Sequence, residues 1–187
     1  MSETRRLTGL AAAPGIAIGP AVVYRPDLLP ARAALSSAEE WRRLAAGIAA
    51  ADTALAQHEA ALRAAGKPDE AEIFAAHRML LADPALSQMA EEAIAASDIT
   101  AEAAIEMVAD YQAEELEQLG DAYLSARAAD LRDVAAQVQR ALTGAKSLGE
   151  LLEAPAIVLA HDLGPSDLMS VPRERLPLFG APMGVKD

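Results

Sequence analysis

The segment that decides the fold is residues 121–142, which reads DAYLSARAADLRDVAAQVQRAL. Apolar or small side chains recur along it at alternating spacings of four and three residues: Leu124, Ala128, Leu131, Ala135, Val138 and Leu142. This spacing places them on one face of an α-helix, whereas a half-buried strand would show a period of two. The segment therefore predicts a long helix with one buried face, which ends at Gly144.

Four more helices are predicted before this one. Ser36 with Glu39, and Ser37 with Glu40, have capping-box spacing and open a helix that runs to about residue 65. Acidic residues suit the start of a second helix over residues 69–83. Pro84 excludes the helical conformation from the residue before it and opens a third helix over 84–96. Thr100 caps a fourth, which runs to about residue 119, where Gly120 breaks it.

Sequence typical of strands lies on both sides of this helical block. Residues 7–24 are rich in β-branched side chains around a Pro14-Gly15 turn and predict two short strands. Ser147 and Glu150 form another capping-box pair, after which residues 155–160, PAIVLA, return to strand-type sequence. This order predicts a mainly α protein, in which a helical subdomain is inserted into an α/β domain whose strands come from both ends. Residues 172–187 are predicted to form an irregular tail.

Composition excludes several functions. The 187 residues include 16 Lys and Arg against 28 Asp and Glu, a net charge of -12, which repels phosphate backbones and favours basic partners. Aromatic residues make up only 3% of the chain, too few to offer stacking platforms, so nucleic acid is not expected as a ligand. No apolar run approaches the roughly 20 residues that a membrane span needs. With no cysteine and no signal-peptide pattern, the expected location is the cytoplasm.

The three histidines lie in different contexts. His58 lies in the polar stretch Ala56-Gln57-His58-Glu59, which predicts a solvated position on a helix surface. His161 follows a strand and precedes Asp162, so it is a candidate base, although no nucleophile or phosphate-binding loop accompanies it. Without cysteine or a His-Glu-x-x-His motif, no metal site is predicted.

His77 and Arg127 each allow two interpretations. His77 shares one side of its helix with Phe74 and Leu81, so it is either a bundle residue or part of an apolar docking patch that includes Met79 and Leu80. Tyr123 and Arg127 lie four residues apart, on one side of the helix predicted over residues 121–142. Arg127 could reach an anionic group of a partner, or it could pair with Asp130 within the helix.

Several motifs occur in an order that resembles a known family. Residues 71–81, AEIFAAHRMLL, and 123–133, YLSARAADLRD, lie between the Pro14-Gly15 turn and residues 155–163. Together they resemble the N-terminal half of enzyme I of the bacterial phosphotransferase system, over residues 7–171. That family takes phosphate from phosphoenolpyruvate onto a histidine and passes it to the carrier HPr, in sugar uptake or regulation. The resemblance implies a phosphohistidine swivel domain from residues 1–30 and 146–187, and a four-helix-bundle-like HPr-binding subdomain at 31–145.

The resemblance also implies site residues. By their positions in the matching motifs, five residues resemble the HPr-docking surface, namely Phe74, His77, Met79, Leu80 and Asp83. Tyr123 and Arg127 correspond to positions beside the phosphoryl-transfer path. Asp69 and Glu70 correspond to acidic residues that face basic residues on HPr, and Pro68 occupies one position of the family's acidic pair.

The last residues depart from the family pattern. After residues 166–175 the family continues to a Gly-Gly-x-Thr-Ser-His segment that carries the phosphate, and residues 176–187 bear no likeness to it. The family's magnesium, phosphoenolpyruvate-binding barrel and dimerisation surface belong to a later domain. We therefore expect no cofactor on these residues and no autophosphorylation by this polypeptide. The chain is predicted to be the HPr-docking portion of a phosphotransferase, or alternatively a non-catalytic HPr-binding adaptor or decoy.

Overall fold

A computed structural model describes residues 18–25, 32–160 and 163–171. In chain order, the elements are β1 (Ala21–Val23), α1 (Ser37–Ala64), α2 (Pro68–Leu81), α3 (Pro84–Ser97), α4 (Ala101–Gln118), α5 (Ala122–Thr143), α6 (Leu148–Leu151), β2 (Ile157–Leu159) and α7 (Pro165–Met169). The predicted mainly α fold with a small α/β part is confirmed.

Local capping signals begin and end the long helices where the sequence predicts. The Thr100 hydroxyl accepts a hydrogen bond from the Ala103 amide, and the Gly144 backbone has a positive φ of 64° at the end of α5. The second helix differs from its predicted range, because it starts at Pro68 and ends at Leu81. Asp83 caps α3 instead, since its carboxylate accepts a hydrogen bond from the Ala85 amide at 2.9 Å.

The helices α1 to α5 enclose one apolar core. Its largest fully buried apolar side chains are Leu44, Leu55, Phe74, Leu86, Ile94, Ile105, Val134 and Val138. Gly47 lets α1 approach α5 closely, because a Cβ atom at this position would lie 2.7 Å from Leu142 Cγ. The bundle therefore depends on small side chains where its helices cross as well as on large ones between them.

Four charged side chains join the start of α1 to the start of α4. Glu40 is fully buried and accepts hydrogen bonds from both terminal nitrogens of Arg32, at 2.6 Å each, and from the Ala101 amide at 3.0 Å. Arg43 bridges Glu40 and Glu102. These bonds satisfy a carboxylate that would otherwise be costly to bury.

The α/β part is built from both sides of the helical block. The strands β1 and β2 pair in parallel, with Ala21 opposite Ile157 and Val23 opposite Leu159, which confirms that strands from the two sides of the block come together. A second apolar cluster, Tyr24, Leu148, Leu152 and Val171, packs beside them. The strand predicted within residues 7–17 and the tail at 172–187 lie outside the described residues. The domain boundaries at residues 30 and 145 stay predictions.

Within the described ranges, no helix is long and apolar enough to cross a membrane.

Candidate functional site

The helix α2 carries most of the predicted site residues, and the structure divides them into two groups. Phe74 and His77 lie inside the bundle, with 2% and 0% of their surface exposed. This corrects the expectation that both side chains belong to a docking surface, because a buried ring offers no area to a partner. Their rings contact each other at 6.0 Å between centroids. Of the two interpretations of His77, the structure therefore supports the bundle residue.

Two carboxylates of α5 hold His77. Its Nε2 atom lies 3.2 Å from Asp130 Oδ1 within hydrogen-bond geometry. Its Nδ1 atom lies 3.3 Å from Asp133 Oδ2 but forms no hydrogen bond of good geometry. Burial by itself would lower the pKa of His77, but the close approach of the Asp133 and Asp130 carboxylates outweighs it, so this pKa lies above its ordinary value. The protonated ring can therefore hold α2 against α5.

The remaining predicted residues of α2 and its ends reach the surface. Met79 is 77% exposed, the most exposed of the large apolar side chains on this helix, whereas Leu80 is half-buried and packs against the core. Asp69 and Glu70 are exposed in the first turn, where Glu70 pairs with Lys67 at 2.6 Å. Asp83 is exposed as well. The exterior of α2 thus combines an apolar side chain with acidic ones.

Tyr123 and Arg127 form a stacked pair on the first turns of α5. The Arg127 guanidinium lies 5.2 Å from the centre of the Tyr123 ring, and its Nη2 atom donates to the Tyr123 hydroxyl at 3.1 Å. Arg127 Nη1 also donates to Asp130 Oδ2 at 3.2 Å, as in the alternative interpretation of this arginine. Since Asp130 contacts both Arg127 and His77, it connects the exposed pair to the buried histidine.

The polar chain continues from His77 to α7. The Ser166 hydroxyl donates to Asp133 Oδ2 at 2.9 Å. Close by, the Tyr24 hydroxyl donates to Asp167 Oδ1 at 2.7 Å, and Arg140 donates to both residues. Burial and the hydrogen bond to Asp167 raise the pKa of Tyr24 to about 12. The sequence did not reveal this cluster, because its members are up to 143 positions apart and no local pattern links them.

His58 differs from its predicted solvated position. It is half-buried on α1, and its ring contacts Phe74 at 5.5 Å between centroids. Burial, followed by the nearby charge of Arg140, lowers the pKa of His58, so the ring is neutral at pH 7. The candidate base His161 lies outside the described residues. Among those that are described, no three His, Asp or Glu side chains are grouped so that they could hold a metal ion.

Comparison with known proteins identifies the family. Residues 8–127 match the family described as "PEP-utilising enzyme, N-terminal". The phosphoenolpyruvate-protein phosphotransferase of Streptococcus equinus is 36% identical over 186 residues, which are 97% of this chain and 32% of that protein. The corresponding protein of Geobacillus stearothermophilus is 35% identical over 96% of this chain and 32% of its own length. The chain thus spans about a third of the length of these relatives.

Comparison with solved structures points to the same family. A solution structure of an enzyme I protein, nEIt, superposes with a TM-score of 0.68 at 35% identity, over 91% of this chain and 71% of that one. The structure described as the N-terminal domain of Enzyme 1 - Nitrogen superposes with a TM-score of 0.65 at 26% identity, over the same shares. The chain therefore belongs to the PEP-utilising enzyme family, and within it to the N-terminal region of enzyme I.

Proposed function

We propose that the chain is the HPr-docking portion of a phosphoenolpyruvate-protein phosphotransferase, and that its exposed α2 surface receives HPr. We name this the α2 surface and define it as Asp69, Glu70, Met79, Leu80 and Asp83, with Tyr123 and Arg127 of α5 as further members. Phe74 and His77 lie beneath it and position the helix. The observation that carries the proposal is Met79, which is 77% exposed on a helix whose opposite side is core.

An exposed methionine is suited to docking for a physical reason. Its unbranched, polarizable side chain adapts to the shape of a partner, and its transfer out of water lowers the free energy of the complex. Leu80 extends this apolar contact toward the core. A partner that covers both side chains would therefore bury apolar area without unfolding any part of the bundle.

The charges of the α2 surface favour a basic partner. Asp69 and Glu70 are exposed at its N-terminal end, and Asp83 is exposed at the other. Carboxylates around an apolar contact steer a cationic partner and discriminate against an anionic one. Arg127 adds a cation beside the acidic groups, with Tyr123 and Asp130 fixing its orientation. We assign it to a phosphoryl group carried by HPr, because a guanidinium matches the geometry of phosphate oxygens.

The proposal is tested by titrating the chain with HPr of the same organism in a calorimeter. Met79→Asp places a charge in the apolar contact and is expected to weaken binding by about a hundredfold, equivalent to about 3 kcal/mol. Met107→Asp is the matched control, because Met107 is also exposed, at 49%, but lies on α4. Equal affinity of the Met79→Asp and unmodified chains would contradict the proposed surface, and absence of binding by the unmodified chain would contradict the proposed function.

A further inference from the structure

Asp130 is shared between a buried ring and an exposed guanidinium. Its Oδ1 atom lies 3.2 Å from His77 Nε2 inside the bundle, and its Oδ2 atom accepts a hydrogen bond from Arg127 Nη1 at 3.2 Å on the outside. Only 25% of the Asp130 side chain is exposed, so water and salt screen its charge incompletely. A change of charge at one partner therefore changes how strongly the carboxylate attracts the other.

The surroundings of His77 favour a second proton on its ring. A neutral imidazole has one N–H donor, but this ring has a carboxylate beside each nitrogen, Asp130 at Nε2 and Asp133 at Nδ1, 3.3 Å away. The Nδ1 atom is buried and forms no hydrogen bond. A neutral ring that donates from Nε2 would turn the Nδ1 lone pair toward Asp133, whereas a protonated ring presents an N–H to both carboxylates.

Two helices, α1 and α5, pack most closely against α2 and supply the titratable groups around His77. Three such residues of α1 contact α2, and none of them forms a hydrogen bond or ion pair with His77, namely Asp52, His58 and Glu59. The two carboxylates pair with Arg78 instead, and burial lowers the pKa of the histidine, so that its ring is neutral at pH 7. From α5, Asp130 and Asp133 contact the His77 ring, and Arg127 reaches it through Asp130.

The proton on His77 changes how strongly Asp130 holds Arg127. When the ring is protonated, Asp130 is shared between two cations, and the ring adds a positive charge beneath the surface. When the ring is neutral, the whole charge of Asp130 attracts Arg127 and repels an anion beside it. A phosphoryl group competes with Asp130 for the guanidinium, so it binds more tightly while His77 is charged.

We infer that the proton on His77 regulates phosphoryl recognition by Arg127 through Asp130, so that the α2 surface prefers phosphorylated over unphosphorylated HPr most strongly at low pH. This inference rests on the proposed docking of HPr. His77 and Asp130 are positioning residues in it, because they act through Arg127. Since linkage is reciprocal, phosphorylated HPr holds the proton on His77 more tightly than unphosphorylated HPr does.

The first test is a calorimetric titration of the chain with phosphorylated and with unphosphorylated HPr of the same organism, at pH 6 and at pH 9. The ratio of the two affinities is expected to fall about tenfold between these pH values as the proton leaves His77. His77→Gln has no titrating ring, so any smaller fall that it retains measures the titration of the phosphoryl group itself.

Two arginine variants separate the route through Asp130 from a general effect of charge on α5. Arg127→Gln should reduce the fall to that of His77→Gln, because the guanidinium that Asp130 holds is gone. Arg132→Gln is the matched control, since Arg132 is a partly exposed arginine of the same helix that pairs with Asp110 and Glu117 instead. It should retain the whole fall.

A measurement on the unmodified chain does not depend on the folding of a variant. NMR titration of the His77 ring in both complexes is expected to give a pKa about one unit higher with phosphorylated HPr, which corresponds to the tenfold change in affinity. An equal pKa in the two complexes, or an equal fall in the unmodified and His77→Gln chains, would overturn the inference and leave docking intact. If neither form of HPr bound, the docking proposal would fail and the inference with it.

Discussion

His77 lies beneath the proposed docking surface and contributes no exposed area to it. It has no exposed surface, yet it contacts two carboxylates of α5, and one of these also holds Arg127. These contacts fix the position of α2, which carries Met79, relative to α5, which carries the stacked Tyr123 and Arg127 pair. We regard His77 as a positioning residue for the α2 surface.

The raised pKa of His77 predicts a dependence of stability on pH. A histidine whose pKa is higher in the folded than in the unfolded chain contributes stability fully below its ordinary value of 6.5, and that contribution is lost as pH rises through the folded value. As the pH rises from 6 through the pKa of His77 in the folded chain, the free energy of unfolding of the unmodified chain should therefore fall more than that of His77→Gln. Urea unfolding of both chains across this range measures the difference. Parallel pH profiles would contradict the assigned role.

The sequence did not reveal which way every predicted site residue of α2 faces. Met79 was placed with Phe74 and His77, yet it lies two residues after His77, about 200° further around the helix, and faces solvent. The apolar period identified the buried face of α5, but on α2 the apolar side chains Met79 and Phe74 face different ways, so apolar character alone did not separate the buried from the exposed positions. The partners of His77 come from α5, 53 positions away, so they could not be deduced from local spacing.

At the scale of elements, contact between α7 and α5 depends on Gly164. A Cβ atom there would lie 2.0 Å from Asp133 Oδ1, the carboxylate that contacts Ser166 and His77. Gly164 has an ordinary φ of -72°, so alanine would create a steric conflict without backbone strain. Gly164→Ala should reduce the free energy of unfolding by about 1–3 kcal/mol.

Gly19→Ala is the matched control for this prediction. A Cβ atom at Gly19 has no atom within 4 Å, so the substitution should leave stability nearly unchanged. Both variants can be compared with the unmodified chain by urea unfolding. An equal midpoint for Gly164→Ala and Gly19→Ala would show that α7 does not pack closely on Asp133.

Element boundaries were largely predictable because they depend on local chemistry. Thr100, Asp121 and Gly144 satisfy backbone groups within three or four residues of themselves, so short sequence patterns reveal them. Asp83 was assigned to the end of α2 although it caps α3. The cluster of Tyr24, Arg140 and Asp167 had no such signal, because its members lie far apart in the sequence and meet only through the tertiary fold.

At the scale of the whole molecule, the net charge of -12 should govern the proposed encounter with HPr. Attraction between an acidic chain and a basic carrier face raises the association rate and is screened by salt. Raising ionic strength from about 0.1 M to about 1 M shortens the screening length from about 10 Å to about 3 Å. Stopped-flow measurements should therefore show association slowing by about tenfold or more. A rate independent of salt would contradict electrostatic steering.

We propose that the α2 surface receives HPr, and chemical shift mapping of the complex can locate the contact. The ¹⁵N-labelled chain would be titrated with unlabelled HPr of the same organism, and the amide shifts would be followed to saturation. We predict that the largest shifts cluster at Met79, Leu80 and Asp83 and at the start of α5 around Tyr123 and Arg127. Saturable shifts confined to α3, α4 or the paired strands, or no shifts from the folded chain, would contradict the claim.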